Sequence, residues 1–82
     1  MTNKIAIGAI TRDEGTPVES RRYLVTLAFW RAFGGAITAT SRELWFTGGR
    51  FERWPKAKTW LSFEARTAAK VAALIAAEWG ES

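Results

Sequence analysis

The hydrophobic positions of this chain alternate over most of its length and change to a helical spacing near its end. Alternation from Lys4 to Ile10 and from Tyr23 to Phe33 predicts two strands, because successive side chains of a strand point to opposite faces. Shorter runs from Ile37 to Thr40, from Leu44 to Thr47 and from Arg50 to Trp54 predict further strands. We therefore expect several strands of a sheet in the first part of the chain and a helix in the last part.

The run from Tyr23 to Phe33 gives the strongest strand signal. Its apolar face is interrupted by Arg31, and its other face carries Trp30. The apolar face consists of Tyr23, Val25, Leu27, Phe29 and Phe33. This strand is expected to form the centre of the core.

The stretch from Ser62 to Gly80 has the spacing of an amphipathic helix. Ser62 can serve as the N-cap residue, and Gly80 can take the left-handed conformation that ends many helices. Charges beside the apolar stripe are mixed in sign, which favours a helix packed on the core over one lying on a membrane. The predicted stripe consists of Ala68, Val71, Ala72, Ile75 and Trp79.

Two glycine pairs, Gly34–Gly35 and Gly48–Gly49, predict hairpin turns between consecutive strands. For the first turn we expect a three-residue loop that includes Ala36. Pairing Phe33 with Ile37 then keeps the apolar face continuous. For the second turn we expect a two-residue loop, in which the residues on either side of the glycine pair face each other.

Two segments do not follow either periodicity. Residues Thr11 to Arg22 contain several turn formers and predict a loop. The segment Thr40 to Glu43 fits either a tight turn or one helical turn opened by a capping box. The predicted fold is α+β: one domain over residues 1–82, with an antiparallel meander of about four to five strands and a C-terminal helix on one face.

The composition narrows the classes of function. The 82 residues include no Cys and no His, which removes the thiolates and imidazoles of most zinc sites and nucleophile–base pairs. Neither glycine pair has the spacing of a phosphate-binding loop. We therefore expect no enzyme, no cofactor and no metal. The apolar run from Ile5 to Ile10 is too short for a secretory signal, so a cytoplasmic protein without membrane contact is expected.

The net charge of +4 is unevenly placed: residues 1–60 hold ten basic and five acidic side chains. The stretch from Arg50 to Lys58 mixes four basic residues with aromatic ones, as surfaces for nucleic acid do. Its candidate contact residues are Arg50, Arg53, Trp54, Lys56 and Lys58. The alternative is an edge strand whose charges block pairing with neighbours.

Two further features could extend that surface. Arg21 and Arg22 precede the central strand and would widen a basic patch. Trp30 and Trp45 are expected on the face of the sheet away from the helix, where they could stack on bases. The alternative is that these indoles complete the core or a dimer contact.

These features predict a small non-enzymatic binding protein that acts through a basic, aromatic surface. In size, compactness and surface type the chain resembles the cofactor-free inhibitors that phages and mobile elements encode, anti-CRISPR proteins among them. That resemblance implies docking on a protein or RNA–protein complex and occlusion of its nucleic-acid site, and no residue is carried over from it. A single-stranded nucleic-acid-binding protein and a homodimeric structural module are the alternatives.

Overall fold

The computed structural model describes residues 2–80, which form a four-stranded antiparallel sheet and one long helix. The sheet has the order β1–β2–β3–β4, so each strand lies beside its neighbour in sequence. The predicted α+β meander with a C-terminal helix is confirmed. The elements are β1 (Thr2–Arg12), a short 3-10 helix (Val18–Ser20), β2 (Arg22–Phe33), β3 (Ala36–Thr47), β4 (Arg50–Phe51) and α1 (Lys58–Trp79).

The core lies between one face of the sheet and α1. Val25 and Leu27 of β2 and Val71 of α1 are completely buried, as the two periodicities require. From the predicted stripe, Val71 and Ile75 are buried, and Ala68, Ala72 and Trp79 pack against the core. The remaining buried hydrophobic residues are Tyr23, Phe29, Leu44, Phe46, Phe51 and Trp54. The side chain of Phe33, predicted on this face, lies outside the described part of the chain.

The start of the helix was predicted wrongly. The helix begins at Lys58, with Ala57 as N-cap residue, and the Ser62 hydroxyl donates to the carbonyl of Thr59 at 2.8 Å inside the helix. Tertiary packing extends the helix towards its N-terminus, because the Trp60 ring packs edge-on against Phe29 at 5.2 Å between centroids. The end was predicted correctly, since Gly80 has φ 70° and closes the helix.

The register of the first hairpin was also predicted wrongly. Gly34 and Gly35 form a two-residue turn, with φ of 58° and 83°, that pairs Phe33 with Ala36 and Arg31 with Thr38. Two positive φ values define the turn whose twist matches that of the strands, and glycine reaches them without strain. Burial cannot select the register here, since β3 from residue 36 to 43 is exposed throughout.

The second hairpin has the predicted two-residue turn, and it pairs Phe46 with Phe51. The strand lengths, in contrast, differ from the predictions. Residues 40–43 form neither a turn nor a helical turn but part of one continuous β3, because each of them pairs with β2. β4 ends at Phe51, since the chain turns at Arg53, which has φ 56°.

β1 is longer than predicted, and its pairing with β2 is irregular between Ile7 and Ile10. A bulge changes which face the following residues use. Consequently Ile5, Ile7 and Ile10 all pack against the core, although simple alternation would place Ile10 on the opposite face.

Candidate partner-binding surface

The predicted basic stretch lies at the surface, between the end of β4 and the start of α1. Arg50, Arg53, Lys56 and Lys58 are all exposed. Within residues 2–80, no carboxylate forms a salt bridge with any of these four side chains. Their positive charges are therefore available to a partner.

Trp54 belongs to the core instead of that surface. Its side chain is 7% exposed, and its ring packs on Phe51 at 5.1 Å and on Phe29 at 5.8 Å between centroids. The indole Nε1 donates to the carbonyl oxygen of Trp60 at 2.8 Å. Trp54 thus fastens the segment between β4 and α1 to the start of the helix, and its ring is not accessible to a base.

Arg21 and Arg22 are occupied by contacts inside the molecule. Arg21 Nη1 lies 3.3 Å from Glu14 Oε2, and its side chain is only 11% exposed. Arg22 Nη2 lies 3.2 Å from Glu52 Oε2, and its guanidinium stacks over Trp45 at 4.0 Å from the ring centroid. These two residues therefore add little free charge to the basic stretch.

Trp30 and Trp45 lie on the open face of the sheet, as predicted, and both are partly buried. Each ring already carries a cation, since Lys4 Nζ lies 5.4 Å from the centroid of Trp30 and Arg22 covers Trp45. Cation–π contacts at exposed sites stabilise by about 0.5–1 kcal/mol. A base that stacked on the covered side of either ring would first have to displace that cation.

A groove lies on the helix side of the sheet, beside the N-terminal end of α1. Two arginines, Arg31 of β2 and Arg42 of β3, line it together with aromatic and proline rings. The groove has a volume of about 280 Å³, and we call it the basic groove. It is lined by Phe29, Arg31, Thr38, Thr40, Arg42, Pro55 and Trp60.

The register of the hairpin brings the polar groups of the groove together. Arg31 pairs with Thr38 and Phe29 with Thr40, so both threonines share the helix-facing side of the sheet with Arg31. The acidic neighbour Glu43 pairs with Thr26, on the opposite face. No carboxylate within residues 2–80 forms a salt bridge with Arg31 or Arg42.

Two lysines lie close in sequence to residues that line the basic groove. Lys56 follows Pro55 in the chain, and Lys58 begins the helix whose Trp60 lines the groove. The first turn of α1 has neither an acidic residue nor a side-chain cap. Its N–H groups therefore add to the positive potential at this end of the molecule.

Arg31 and Arg42 were not predicted from the sequence as contact residues. Arg31 was visible only as a charge that interrupts the apolar face of the central strand. Arg42 lies in the segment from Thr40 to Glu43, whose sequence fits either a tight turn or one helical turn. The position of Arg31 on an otherwise apolar face was the signal in the sequence that could have indicated a site. The correct hairpin register was also needed, because it places Arg42 on the same face as Arg31.

A larger cavity of about 610 Å³ lies at the other end of the molecule, near the end of α1. Glu19 and Arg21 contribute opposite charges to its lining, with Tyr23, Phe46 and Ile75 supplying apolar surface. Because Arg21 is already paired with Glu14, this cavity presents no free positive charge. Of these two cavities, the basic groove is therefore the better candidate for recognition of an anionic partner.

Among residues 2–80, no group of three or more acidic, His or Cys side chains that could hold a metal ion occurs. Within the same residues, no helix is long and apolar enough to cross a membrane.

Comparison with known proteins does not add a relative. No family model, no curated protein and no solved structure matches the chain.

Proposed function

We propose that this chain is a small binding protein without catalytic activity that docks through its basic groove on an acidic surface of a protein or ribonucleoprotein complex. The observation that carries the proposal is the pair Arg31 and Arg42, which line the groove with Phe29 and Trp60 and have no carboxylate partner in the described chain. A guanidinium presents a planar fork of donors that matches carboxylates and phosphates. The exposed Arg53, Lys56 and Lys58 lie along the same end and would draw an anionic partner towards the groove.

The size of the groove bears on the type of partner. Its volume of about 280 Å³ is at the lower limit of pockets that hold small-molecule ligands, about 300–1,000 Å³. A single carboxylate or phosphate group fits such a space together with part of its carrier. A macromolecule that inserts one acidic group and contacts the surrounding cations is the partner that suits this geometry.

A protein or ribonucleoprotein partner is favoured over bare single-stranded nucleic acid because few aromatic rings are free. Trp54 is buried, and Trp30 and Trp45 are each covered by a cation. Trp60, partly buried, is the remaining indole beside the free arginines. Proteins that bind single strands usually offer several rings for successive bases.

The most specific form of this function is inhibition. The protein would then occlude a nucleic-acid site, as do inhibitors that phages and mobile elements encode, anti-CRISPR proteins among them. Support for this form comes from the small size of the chain and from its basic, aromatic surface. A test needs no knowledge of the partner, because two anionic probes distinguish the main alternatives.

Binding of a fluorescently labelled poly-glutamate peptide and of an oligothymidine should be measured by anisotropy at about 50 mM and about 200 mM salt. The double variant Arg31→Glu, Arg42→Glu is expected to weaken poly-glutamate binding by about tenfold or more, since it replaces two attractive contacts by repulsive ones. The control Arg66→Glu, Lys70→Glu makes the same change of net charge on two exposed residues of α1, which line a different cavity together with β1.

Equal effects of the groove variant and the control would refute the choice of surface. The single-strand alternative would be supported instead if the oligothymidine bound more tightly than the peptide and its affinity fell steeply as the salt concentration rose. Loss of about one unit of salt slope for each arginine would then locate the phosphate contacts in the groove.

A further inference from the structure

The outer edge of β3 has no neighbour over most of its length. β4 pairs only with Phe46 and Thr47, and one further bond joins Glu52 N to Trp45 O at 2.9 Å. From residue 36 to 43 every residue of β3 is exposed, and Ile37 is 76% exposed. Among the described strands, this segment is therefore an open edge that can accept another strand.

The hairpin turn determines which backbone groups point outwards. A two-residue turn makes Phe33 and Ala36 a hydrogen-bonded pair, so the even-numbered residues of β3 direct their N–H and C=O groups towards β2. The odd-numbered residues direct theirs to the open edge, in agreement with the bond to the carbonyl of Trp45. Ile37, Ala39, Ser41 and Glu43 consequently present outward donors and acceptors.

The two edges of the sheet differ in the features that prevent pairing. β1 has a bulge between Ile7 and Ile10, and it carries Lys4. The stretch of β3 from Ala36 to Ser41 has neither a charge, nor a proline, nor a bulge. Charges, prolines and bulges are the usual protection of an edge strand, so the open part of β3 has the character of an interface.

We propose that a second copy of this chain pairs with β3 in antiparallel orientation, so that the two sheets join and the two basic grooves become one. This inference rests on the proposed function of the groove and adds that the complete site needs two copies. The two-fold axis would run perpendicular to the sheet between the Ala39 residues of the two copies. Ile37 of each copy would then lie opposite Ser41 of the other.

The end of β4 excludes one of the two neighbouring registers. Centring the axis one residue further along, at Thr40, would place Gly35 of the second copy opposite Trp45, where Glu52 already occupies the edge. Centring it on Ala39 avoids that overlap and lets the outward groups of Ile37, Ala39 and Ser41 form about six hydrogen bonds. Thr38 then faces Thr40 of the second copy, a favourable cross-strand pair, and no like charges lie opposite each other.

Joining the two sheets would enlarge the surface that is available to an acidic partner. An axis perpendicular to the sheet keeps both helices on the same side, so the two basic grooves meet across the new strand pair. Arg31 and Arg42 of both copies would line one continuous positive channel, with the threonines of the two β3 strands at its centre. A channel of this length suits an extended acidic segment better than either groove alone.

Single cysteines can test the pairing, because the chain has none of its own. In the proposed register Ala39 faces Ala39 at about 5.5 Å between Cα atoms, within the range that a disulfide spans. Ile37 of one copy lies about 13 Å along the strand from Ile37 of the other, and the same distance separates the two Ser41 residues. The variants Ile37→Cys, Ala39→Cys and Ser41→Cys therefore form a matched series on one face of one strand.

We expect Ala39→Cys to oxidise predominantly to a disulfide-linked dimer in non-reducing electrophoresis and intact mass, with little product from the other two variants. The unmodified chain is expected to show twice the monomer mass by light scattering as its concentration rises. A monomer at all concentrations, or cross-linking of Ile37→Cys or Ser41→Cys as fast as that of Ala39→Cys, would overturn the proposal. Neither result would affect poly-glutamate binding by a single groove, so the two proposals can fail separately.

Discussion

Replacement of Trp54 tests whether this indole is a structural anchor or a contact residue. In the structure its ring packs on Phe51 and Phe29, and its Nε1 donates to the Trp60 carbonyl at 2.8 Å. Trp54→Ala would remove both ring contacts and the bond that holds the start of α1. Large-to-small changes of a buried Trp typically destabilise by about 3–5 kcal/mol.

That loss is large for a chain of this size. Domains are stable by about 0.05–0.15 kcal/mol per residue, so 82 residues give roughly 4–12 kcal/mol. Trp54→Ala is therefore expected to bring the protein close to unfolding. Trp54→Phe keeps most of the ring packing and loses the hydrogen bond, which contributes about 0.5–1.5 kcal/mol, together with part of the buried ring.

Urea unfolding followed by far-ultraviolet circular dichroism measures both effects. Trp30→Phe serves as control, because Trp30 lies partly exposed on the open face of the sheet and is expected to change the stability by less than about 1 kcal/mol. A Trp54→Ala variant that unfolds within about 1 kcal/mol of the unmodified chain would refute the assignment of Trp54 to the core. Any loss of partner binding in Trp54→Ala must be compared with its folded fraction before it is assigned to a lost contact.

Three further substitutions test local features of the structure by the same unfolding measurement. Arg53→Gly is expected to be neutral or to stabilise by up to about 1 kcal/mol, since Arg53 has φ 56° and glycine relieves the strain, while Arg53→Val should destabilise. Tyr23→Phe should be neutral or stabilising by up to about 1 kcal/mol, because the buried hydroxyl has no hydrogen-bond partner in the described chain; a clear loss would reveal such a partner. Gly35→Ala should destabilise by about 1–2 kcal/mol at φ 83°, and Gly35→Asn by less, because Asn tolerates this conformation better; equal stability of the two variants would argue against the assigned turn.

The fold could be predicted because the segments that contribute completely buried side chains also show the clearest periodicity of apolar residues. Alternation in β2 and helical spacing in α1 correspond to Val25, Leu27 and Val71, which are completely buried. Prediction failed where burial does not constrain the chain. The strand from Ile37 to Thr40 was predicted, but residues 40–43 are exposed throughout, so no pattern of apolar residues could show that β3 continues through them.

The helix start failed for a related reason. Local capping chemistry favoured Ser62, but the contact of Trp60 with Phe29 joins residues that are distant in sequence, and it draws the preceding turn into the helix. Aromatic residues posed the same difficulty. Composition showed that the chain is rich in Trp but could not show that Trp54 is buried while Trp60 lines a groove.

One error, at Gly34–Gly35, explains why both proposed surfaces escaped the sequence analysis. A three-residue loop would have placed Arg31 opposite Ala39 and shifted the outward-pointing groups of β3 by one residue. The observed two-residue turn instead sets Arg31 beside Thr38, on the side where Arg42 also lies, and turns the backbone of Ala39 to the open edge. The groove and the edge are thus two consequences of one turn. A change that alters this register should disturb anion binding and self-association together, whereas charge reversal at Arg31 and Arg42 leaves the outward hydrogen-bonding groups of β3 in place and should affect anion binding first.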